Sequence, residues 1–177
     1  MALAALGVPY EVVATAEIEP NVTIAYAAMR NKLQKNEATI DEMKKLLKSR
    51  NIGWDFQKNK SVIDRMKRDK LEMLYNATIN ANNLGDISKI KTEDIPDHDL
   101  FTYSSCCQSF SVSGKGEGGE WICKDCGTII NPFENGFVEL CPNCHSTDIN
   151  KPQSSLLWEC VKVIKTKKPS ILMMENV

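Results

Sequence analysis

The chain has 177 residues, of which 42% are hydrophobic and 25% are charged, and its formal net charge is −1. This length suits one domain, or one domain with a small insertion, and the composition is that of a globular protein. Without net positive charge, the chain can contact nucleic acid only through local basic patches. No stretch predicts a membrane span, and the short apolar residues 1–7 lack the basic start of a signal peptide. We therefore expect no membrane partner and a cytoplasmic location.

The first 33 residues predict a helix, a strand and a second helix. Residues 1–7 indicate the end of a helix capped by glycine, and the β-branched residues 10–16 indicate a strand. Pro20 suits the first turn of a helix that runs to about Leu33. Glu17 follows the strand, where an acid binds ribose hydroxyls in a mononucleotide-binding unit. The alternative is that Glu17 only caps the next helix.

Residues 36–80 predict an insertion of two helices. Thr39 and Glu42 form a capping box that opens the first helix. The second helix is predicted to begin at about Ser61, with apolar residues at helical spacing. These residues are Ile63, Met66, Met73, Leu74 and Ala77. Lysines and arginines also cluster between residues 58 and 70, and because acids are interspersed we interpret them as a solvated helix face rather than a phosphate site.

A candidate catalytic pair follows two further strands. The apolar residues 99–103 predict a buried strand, and Cys107 follows it in a loop rich in small polar residues and glycine. Residues 155–166 predict an amphipathic helix, and residues 171–174 predict a second buried strand that ends at Glu175. In an α/β sheet the chemistry lies at the carboxyl ends of the strands. A thiol and a carboxylate at neighbouring strand ends therefore predict a catalytic site.

Four of the seven cysteines form two Cys-x-x-Cys pairs. The four cysteines are Cys123, Cys126, Cys141 and Cys144. This pattern predicts a tetrahedral zinc site, whereas a disulfide framework does not suit a reducing compartment. Residues 120–150 are too few to build a core of their own, so we interpret them as a zinc-ribbon insertion that the metal stabilises. Such ribbons often contact nucleic acid, and the sequence leaves this open.

Four motifs in order resemble those of the DNA (cytosine-5) methyltransferases, in particular the amino-terminal half of phage and bacterial members. They are Ala-Glu-Ile-Glu at 16–19, Gly-Asp-Ile at 85–87, Cys-Gln-x-Phe-Ser at 107–111 and Glu-Asn-Val at 175–177. The resemblance implies an α/β fold, namely a partial Rossmann-like S-adenosylmethionine-dependent methyltransferase fold that spans residues 1–177. The helical segment 36–80 and the zinc ribbon 120–150 would be insertions within it.

The resemblance also implies a role for each motif. Cys107 would be the nucleophile that adds to carbon 6 of cytosine, and Glu175 would hold the Watson–Crick edge of the base. The cofactor-binding residues for S-adenosylmethionine would be Glu17 and Ile18, on its ribose and adenine, and Asp86 and Ile87, with Asp86 on the adenine amine. The substrate would be double-stranded DNA with the target base flipped out, in a bacterial or phage-encoded system.

The chain departs from the family pattern in two respects. Cys106 stands where the family has proline before the nucleophile. The family's glycine loop would lie before Met1, and its arginine motifs and target-recognition region would lie after Val177. We therefore expect a fragment that works with a second chain or a missing carboxyl-terminal half. Two alternatives remain, a non-catalytic remnant that keeps the fold and a zinc-ribbon DNA-binding module.

Overall fold

The computed structural model describes residues 2–55, 58, 60–104, 120–136, 138–152 and 155–175. These residues form two compact α/β units, Met1–Pro96 and Asp97–Val177. None of the helices in the described part of the chain has the length and apolar character needed to cross a membrane.

The first unit is mainly helical. Its helices are α1 (Ala2–Ala5), α2 (Pro20–Met29), α3 (Ile40–Ser49) and α4 (Arg68–Asn80). Strands β1 (Trp54–Asp55) and β2 (Lys60–Ser61) form a small antiparallel pair, and single 3-10 turns cover Ile63–Arg65 and Thr92–Asp94.

The ends of the first helices follow from local sequence signals. The predicted glycine cap of α1 is confirmed, since Gly7 has a φ of 67° and the Val8 N–H donates to the Leu3 carbonyl. Helix α2 begins at Pro20 as predicted but ends at Met29, four residues before Leu33, because Asn31 takes a left-handed φ of 54°.

The capping box that opens α3 is confirmed. The Glu42 N–H donates to the Thr39 hydroxyl, and the Glu42 carboxylate accepts the Thr39 N–H. The predicted start of the second helix at Ser61 is wrong. Met66 and Lys67 are extended, with ψ values of 136° and 145°, so α4 begins only at Arg68.

The core of the first unit lies between α3, α4 and the segment that joins them. Its buried side chains are Met43, Leu47, Ile52, Ile63, Leu71 and Leu74, and Ile24 of α2 packs against them. Met73, one of the apolar residues at helical spacing in the sequence, is 44% exposed. Full burial of one such aliphatic side chain contributes about 1.5–3 kcal/mol. The stability of this unit therefore depends on the predicted helical insertion.

The predicted strand at residues 10–16 is wrong in extent. Its backbone makes a single parallel bridge, between Thr15 and Asn83. The Thr15 N–H donates to the Asn82 carbonyl, and the Leu84 N–H donates to the Thr15 carbonyl. Two residues further along, the side chain of Asn83 takes over the pairing with Glu17. The Asn83 side chain thus takes the place of the next backbone pairing between the two segments.

The second unit contains a parallel strand pair joined through a helix. Strands β3 (Leu100–Ser104) and β7 (Ile171–Glu175) pair from Leu100–Ile171 to Ser104–Glu175, and helix α6 (Leu156–Lys167) precedes β7. The two predicted strands and the helix are confirmed. The predicted burial of β7 is wrong, because residues 171–174 are 46–58% exposed. Within the described residues β7 pairs with β3 alone and therefore lies at a sheet edge.

A small antiparallel sheet lies between β3 and α6 in the chain. It consists of β4 (Trp121–Cys123), β5 (Ile129–Ile130) and β6 (Ile149–Asn150), with β4 in the middle and a short helix α5 (Pro132–Asn135) after β5. Trp121 and Ile130 pair across the sheet, and both are fully buried. The Lys151 ammonium lies 4.3 Å from the centre of the Trp121 ring.

Candidate functional site

Glu17 is fixed by its neighbours immediately before α2. Its carboxylate accepts the Glu19 N–H at 2.7 Å, and Glu19 in turn accepts the Val22 N–H at 2.8 Å. Glu19, and not Glu17, is therefore the residue that caps α2. Ile18 is half-buried, and its carbonyl accepts the Gly53 N–H at 2.7 Å. The Glu17 carboxylate stabilises the turn before α2. The alternative that Glu17 itself caps this helix is therefore wrong.

Asp86 is buried and its carboxylate has three hydrogen bonds. One oxygen accepts the Asn51 side-chain amide at 2.9 Å, and the other accepts the Ser88 N–H at 3.0 Å and the Ser88 hydroxyl at 2.7 Å. The Asp86 N–H donates to the Arg50 carbonyl at 3.0 Å. Ile87, next in the chain, is half-buried. The carboxylate therefore has a fixed orientation.

Asn83 joins the segment around Glu17 to the turn at residues 85–88, which we call the Asp86 turn. Its side-chain oxygen accepts the N–H groups of Glu17 and Gly85, each at 3.0 Å, and its side-chain nitrogen donates to the Glu17 carbonyl at 2.9 Å. The two motifs predicted to bind the same ligand therefore lie together in the first unit. The sequence predicts roles for both acids but none for Asn83, a polar residue between α4 and a glycine turn, which has no distinctive local signal.

The carboxyl ends of β3 and β7 bring Glu175 beside Ser104. The two residues are register partners, and the Ser104 hydroxyl donates to a Glu175 carboxylate oxygen at 3.0 Å. Cys106, Cys107 and the end of the Glu-Asn-Val motif, residues 176–177, lie outside the described residues. Glu175 thus stands where the sequence places it, beside the last described residue before the cysteine loop.

The four predicted metal ligands come together in the second unit. The sulfur atoms of Cys123, Cys126, Cys141 and Cys144 all lie within 4.8 Å of one another. Each pair sits on a tight turn of the same kind, since the Gly127 N–H donates to the Cys123 carbonyl and the His145 N–H donates to the Cys141 carbonyl, both at 2.9 Å. Gly127 and His145 have φ values of 71° and 60°. Two matched turns thus aim four thiols at one point.

Local hydrogen bonds favour the thiolate form of Cys126 and Cys141. The hydroxyl and N–H of Thr128 lower the pKa of Cys126 to about 6, and the backbone N–H of Cys144 lowers the pKa of Cys141. At Cys144 the Ser146 N–H acts in the same direction, but the adjacent Cys126 thiol, burial and the other sulfurs outweigh it and raise the pKa to about 12. Four sulfurs this close can all be ionised only around a cation, so the donor set fits a divalent metal ion.

The chain belongs to the C-5 cytosine-specific DNA methylase family. The family model matches residues 48–124 and 143–177, which include the Gly-Asp-Ile, cysteine-loop and Glu-Asn-Val motifs. The interruption between residues 124 and 143 falls inside the cysteine-rich segment, whereas residues 48–80 of the predicted helical insertion lie within the match.

Three relatives illustrate the similarity. The type II methyltransferase M2.ScrFI of Lactococcus lactis subsp. cremoris is 37% identical over 100% of this chain and 43% of its own length. The orphan methyltransferase M.SPBetaI of Bacillus phage SPbeta is 32% identical over 72% of this chain and 30% of its own length. The type II methyltransferase M.HhaI of Haemophilus parahaemolyticus is 28% identical over 52% of this chain and 19% of its own length. The chain therefore spans less than half the length of these relatives.

Proposed function

We propose that this chain acts in the transfer of a methyl group from S-adenosylmethionine to carbon 5 of cytosine in double-stranded DNA. The observation that supports this most is the hydrogen-bonded pair of Ser104 and Glu175 at the carboxyl ends of β3 and β7, in a member of the C-5 methylase family. Cys107 follows Ser104 by three residues, so an extended chain limits their Cα separation to about 11 Å. In the sequence, a thiol and a carboxylate therefore come at or just after the carboxyl ends of two paired strands.

The chemistry assigns one task to each residue. The Cys107 thiolate adds to carbon 6 of the flipped base, which places negative charge on the ring. The protonated Glu175 carboxyl group neutralises this charge by donating its proton to the ring nitrogen, while its other oxygen accepts from the amine. Carbon 5 then becomes nucleophilic and takes the methyl group of S-adenosylmethionine, which leaves as S-adenosylhomocysteine. Loss of the proton from carbon 5 and expulsion of the thiolate restore the aromatic ring and free Cys107.

We assign the cofactor to the first unit. Glu17 would bind the ribose hydroxyls and Asp86 the adenine amine of S-adenosylmethionine, with Ile18 and Ile87 against the adenine. Support comes from the hydrogen bonds that orient each carboxylate and from Asn83, which joins the two segments. This assignment corresponds to a partial Rossmann-like methyltransferase fold, with residues 36–80 and 120–150 as insertions.

We further propose that the four-cysteine cluster holds a structural zinc ion. Cys123, Cys126, Cys141 and Cys144 supply four soft ligands, and β4, β5 and β6 contain only seven residues between them. Elemental analysis of protein purified under reducing conditions should find one zinc per chain, and Cys141→Ser should lower that content. Metal-free protein with an intact ribbon would contradict the assignment.

The zinc-ribbon DNA-binding alternative is disfavoured by charge. Residues 120–152 contain five acids and two lysines, a net charge of 2 − 5 = −3. Lys124 is already paired with Asp148 at 2.7 Å, and a zinc ion with four thiolates adds two further negative charges. Such a surface repels DNA phosphates. We therefore assign DNA contact to other parts of the enzyme, including a second polypeptide or carboxyl-terminal half that carries target recognition, in the cytoplasm of a bacterial host.

The proposal is tested by transfer of a labelled methyl group to DNA. The chain should be assayed alone and with a polypeptide that covers the remainder of a family relative. Glu175→Gln should lower the rate at least about 100-fold, because the ring charge is no longer neutralised. Glu134→Gln, an exposed acid on α5, is the matched control and should keep the rate. Equal rates for both variants would refute the role of Glu175, and no transfer under any condition would favour the non-catalytic remnant.

A further inference from the structure

Asn83 is the most completely bonded side chain in the described part of the first unit. It is 1% exposed, and its amide group makes four hydrogen bonds. It accepts from the N–H groups of Glu17 and Gly85 and donates to the Glu17 carbonyl and to the Thr23 hydroxyl oxygen, the last at 3.2 Å. Only a primary amide has two acceptor sites and two donors in this geometry. Its conformation therefore fixes the backbone on both sides of Glu17.

A second set of contacts holds the Asp86 turn against the end of α3. The Arg50 carbonyl accepts the Asp86 N–H, and the Arg50 guanidinium donates to the Asn83 carbonyl at 2.6 Å. Arg50 is half-buried, and this burial lowers the pKa of its guanidinium. Asn51, with a left-handed φ of 55°, donates its amide to the Asp86 carboxylate. Contacts between Arg50 and Asn83 thus join the two acids in one network.

We propose that Asn83 and Asn51 are positioning residues for S-adenosylmethionine, which set the places of the Glu17 and Asp86 carboxylates before the ligand arrives. This inference rests on the proposed cofactor assignment. Asn83 acts through the backbone of Glu17 and so governs recognition of the ribose hydroxyls. Asn51 acts on the carboxylate of Asp86 and so governs recognition of the adenine amine. Each asparagine therefore controls selectivity for a different part of the same ligand.

The test is a titration of the 177-residue chain with S-adenosylhomocysteine, its 2′-deoxy analogue and its inosine analogue, followed by chemical shifts in NMR spectra. The unaltered chain should prefer S-adenosylhomocysteine over both analogues. Asn83→Asp keeps the size and the acceptors of the side chain but removes its two donors. It should weaken binding at least about tenfold and abolish discrimination against the 2′-deoxy analogue, while preference over the inosine analogue remains.

Asn51→Gly should have the complementary effect. Glycine tolerates the left-handed φ, so the change removes the amide without backbone strain. Preference over the inosine analogue should fall about tenfold, with little change for the 2′-deoxy analogue. The specificity ratios separate positioning from general loss of stability, which would weaken all three ligands alike.

Asn76→Leu is the matched control. Asn76 is also a buried asparagine of the first unit, and its side-chain oxygen accepts from Asn36 at 2.8 Å rather than from the residues that join Glu17 and Asp86. It should lower the melting temperature without changing either ratio. If Asn83→Asp does not fold, Thr23→Val removes one Asn83 partner at nearly constant volume and should shift the 2′-deoxy ratio in the same direction.

Three results would overturn the inference. Unchanged ratios in the Asn83 and Asn51 variants would do so, as would equal shifts in Asn76→Leu. Failure of the unaltered chain to prefer S-adenosylhomocysteine over either analogue would also do so, because the two carboxylates would then not distinguish the ribose hydroxyl or the adenine amine. None of these results bears on whether Cys107 forms an adduct with cytosine, so failure here is distinct from failure of the proposed reaction.

Discussion

Three glycines with positive φ offer a graded test of how tightly the turn at residues 85–88, which contains Asp86, is held against Arg50. Gly7, Gly53 and Gly85 have φ values of 67°, 74° and 86°. A Cβ added at Gly7 would have no neighbouring atom within 4 Å. A Cβ added at Gly53 would lie 2.8 Å from the terminal methyl group of Ile63. At Gly85 it would overlap the Arg50 carbonyl oxygen and lie 2.7 Å from the Arg50 Cβ. The three sites therefore share the backbone strain and differ in the clash.

The expected losses in free energy of unfolding follow from these contacts. Gly7→Ala should cost about 1 kcal/mol, the penalty for positive φ alone. Gly53→Ala should cost about 2–3 kcal/mol, because the end of the Ile63 side chain can move aside. Gly85→Ala should cost about 3–5 kcal/mol, since the Arg50 carbonyl must shift and its hydrogen bond with the Asp86 N–H is lost.

The assay is urea unfolding followed by far-ultraviolet circular dichroism, with Gly7→Ala as the reference for strain. The order Gly7, Gly53, Gly85 should hold at constant m-value. A Gly85→Ala variant as stable as Gly7→Ala would refute the close approach of the Asp86 turn to Arg50, and with it the network that places the two acids.

Three further predictions concern single side chains. Leu47→Ala, in the core of the first unit, should lower the free energy of unfolding by about 2–5 kcal/mol, and a loss below 1 kcal/mol in urea unfolding would contradict the packing described. Burial raises the pKa of the Cys160 thiol to about 11, so iodoacetamide at pH 8 should modify it far more slowly than a free thiol, as peptide mass mapping of the native chain would show. The Thr39 N–H and hydroxyl lower the pKa of Glu42 below its usual 4.5, so its contribution to stability is present above that value and is lost as pH falls through the folded pKa. Glu42→Gln should remove this part of the acid dependence in thermal unfolding, and an unchanged pH profile would argue against the capping box.

Much of the fold could be predicted because its signals are local. The capping box of Thr39 and Glu42, Pro20 at the start of α2, and the two Cys-x-x-Cys turns are each set by a few adjacent residues. The parallel strands β3 and β7 were predicted from short apolar runs. Where the signal lies within one element, sequence and structure agree.

The errors arise where tertiary contacts decide. The strand at residues 10–16 fails because its partner beyond Thr15 is the Asn83 side chain rather than a backbone. The late start of α4 comes from two extended residues that an apolar helical pattern does not reveal. The exposure of β7 depends on which strands lie beside it, and an apolar run such as Ile171–Met174 predicts burial regardless.

The candidate site was predicted in part for the same reason. Motif residues such as Glu17, Asp86 and Glu175 have a chemical signature in the sequence. Asn83 and Asn51 hydrogen-bond to Glu17 and Asp86 across 66 and 35 positions in the chain. Polar residues in loops are common, so nothing local distinguishes these two.

The most direct test of the proposed reaction is covalent trapping on DNA that contains 5-fluorocytosine, with S-adenosylmethionine and a polypeptide that completes the enzyme. Fluorine at carbon 5 cannot leave as a proton does, so the adduct should persist and peptide mapping should place it on Cys107. Cys106→Pro should retain the adduct, and Cys107→Ser should abolish it. An adduct on Cys106, or one that survives Cys107→Ser, would contradict the assignment of the nucleophile, and no adduct in any form would contradict the proposed reaction.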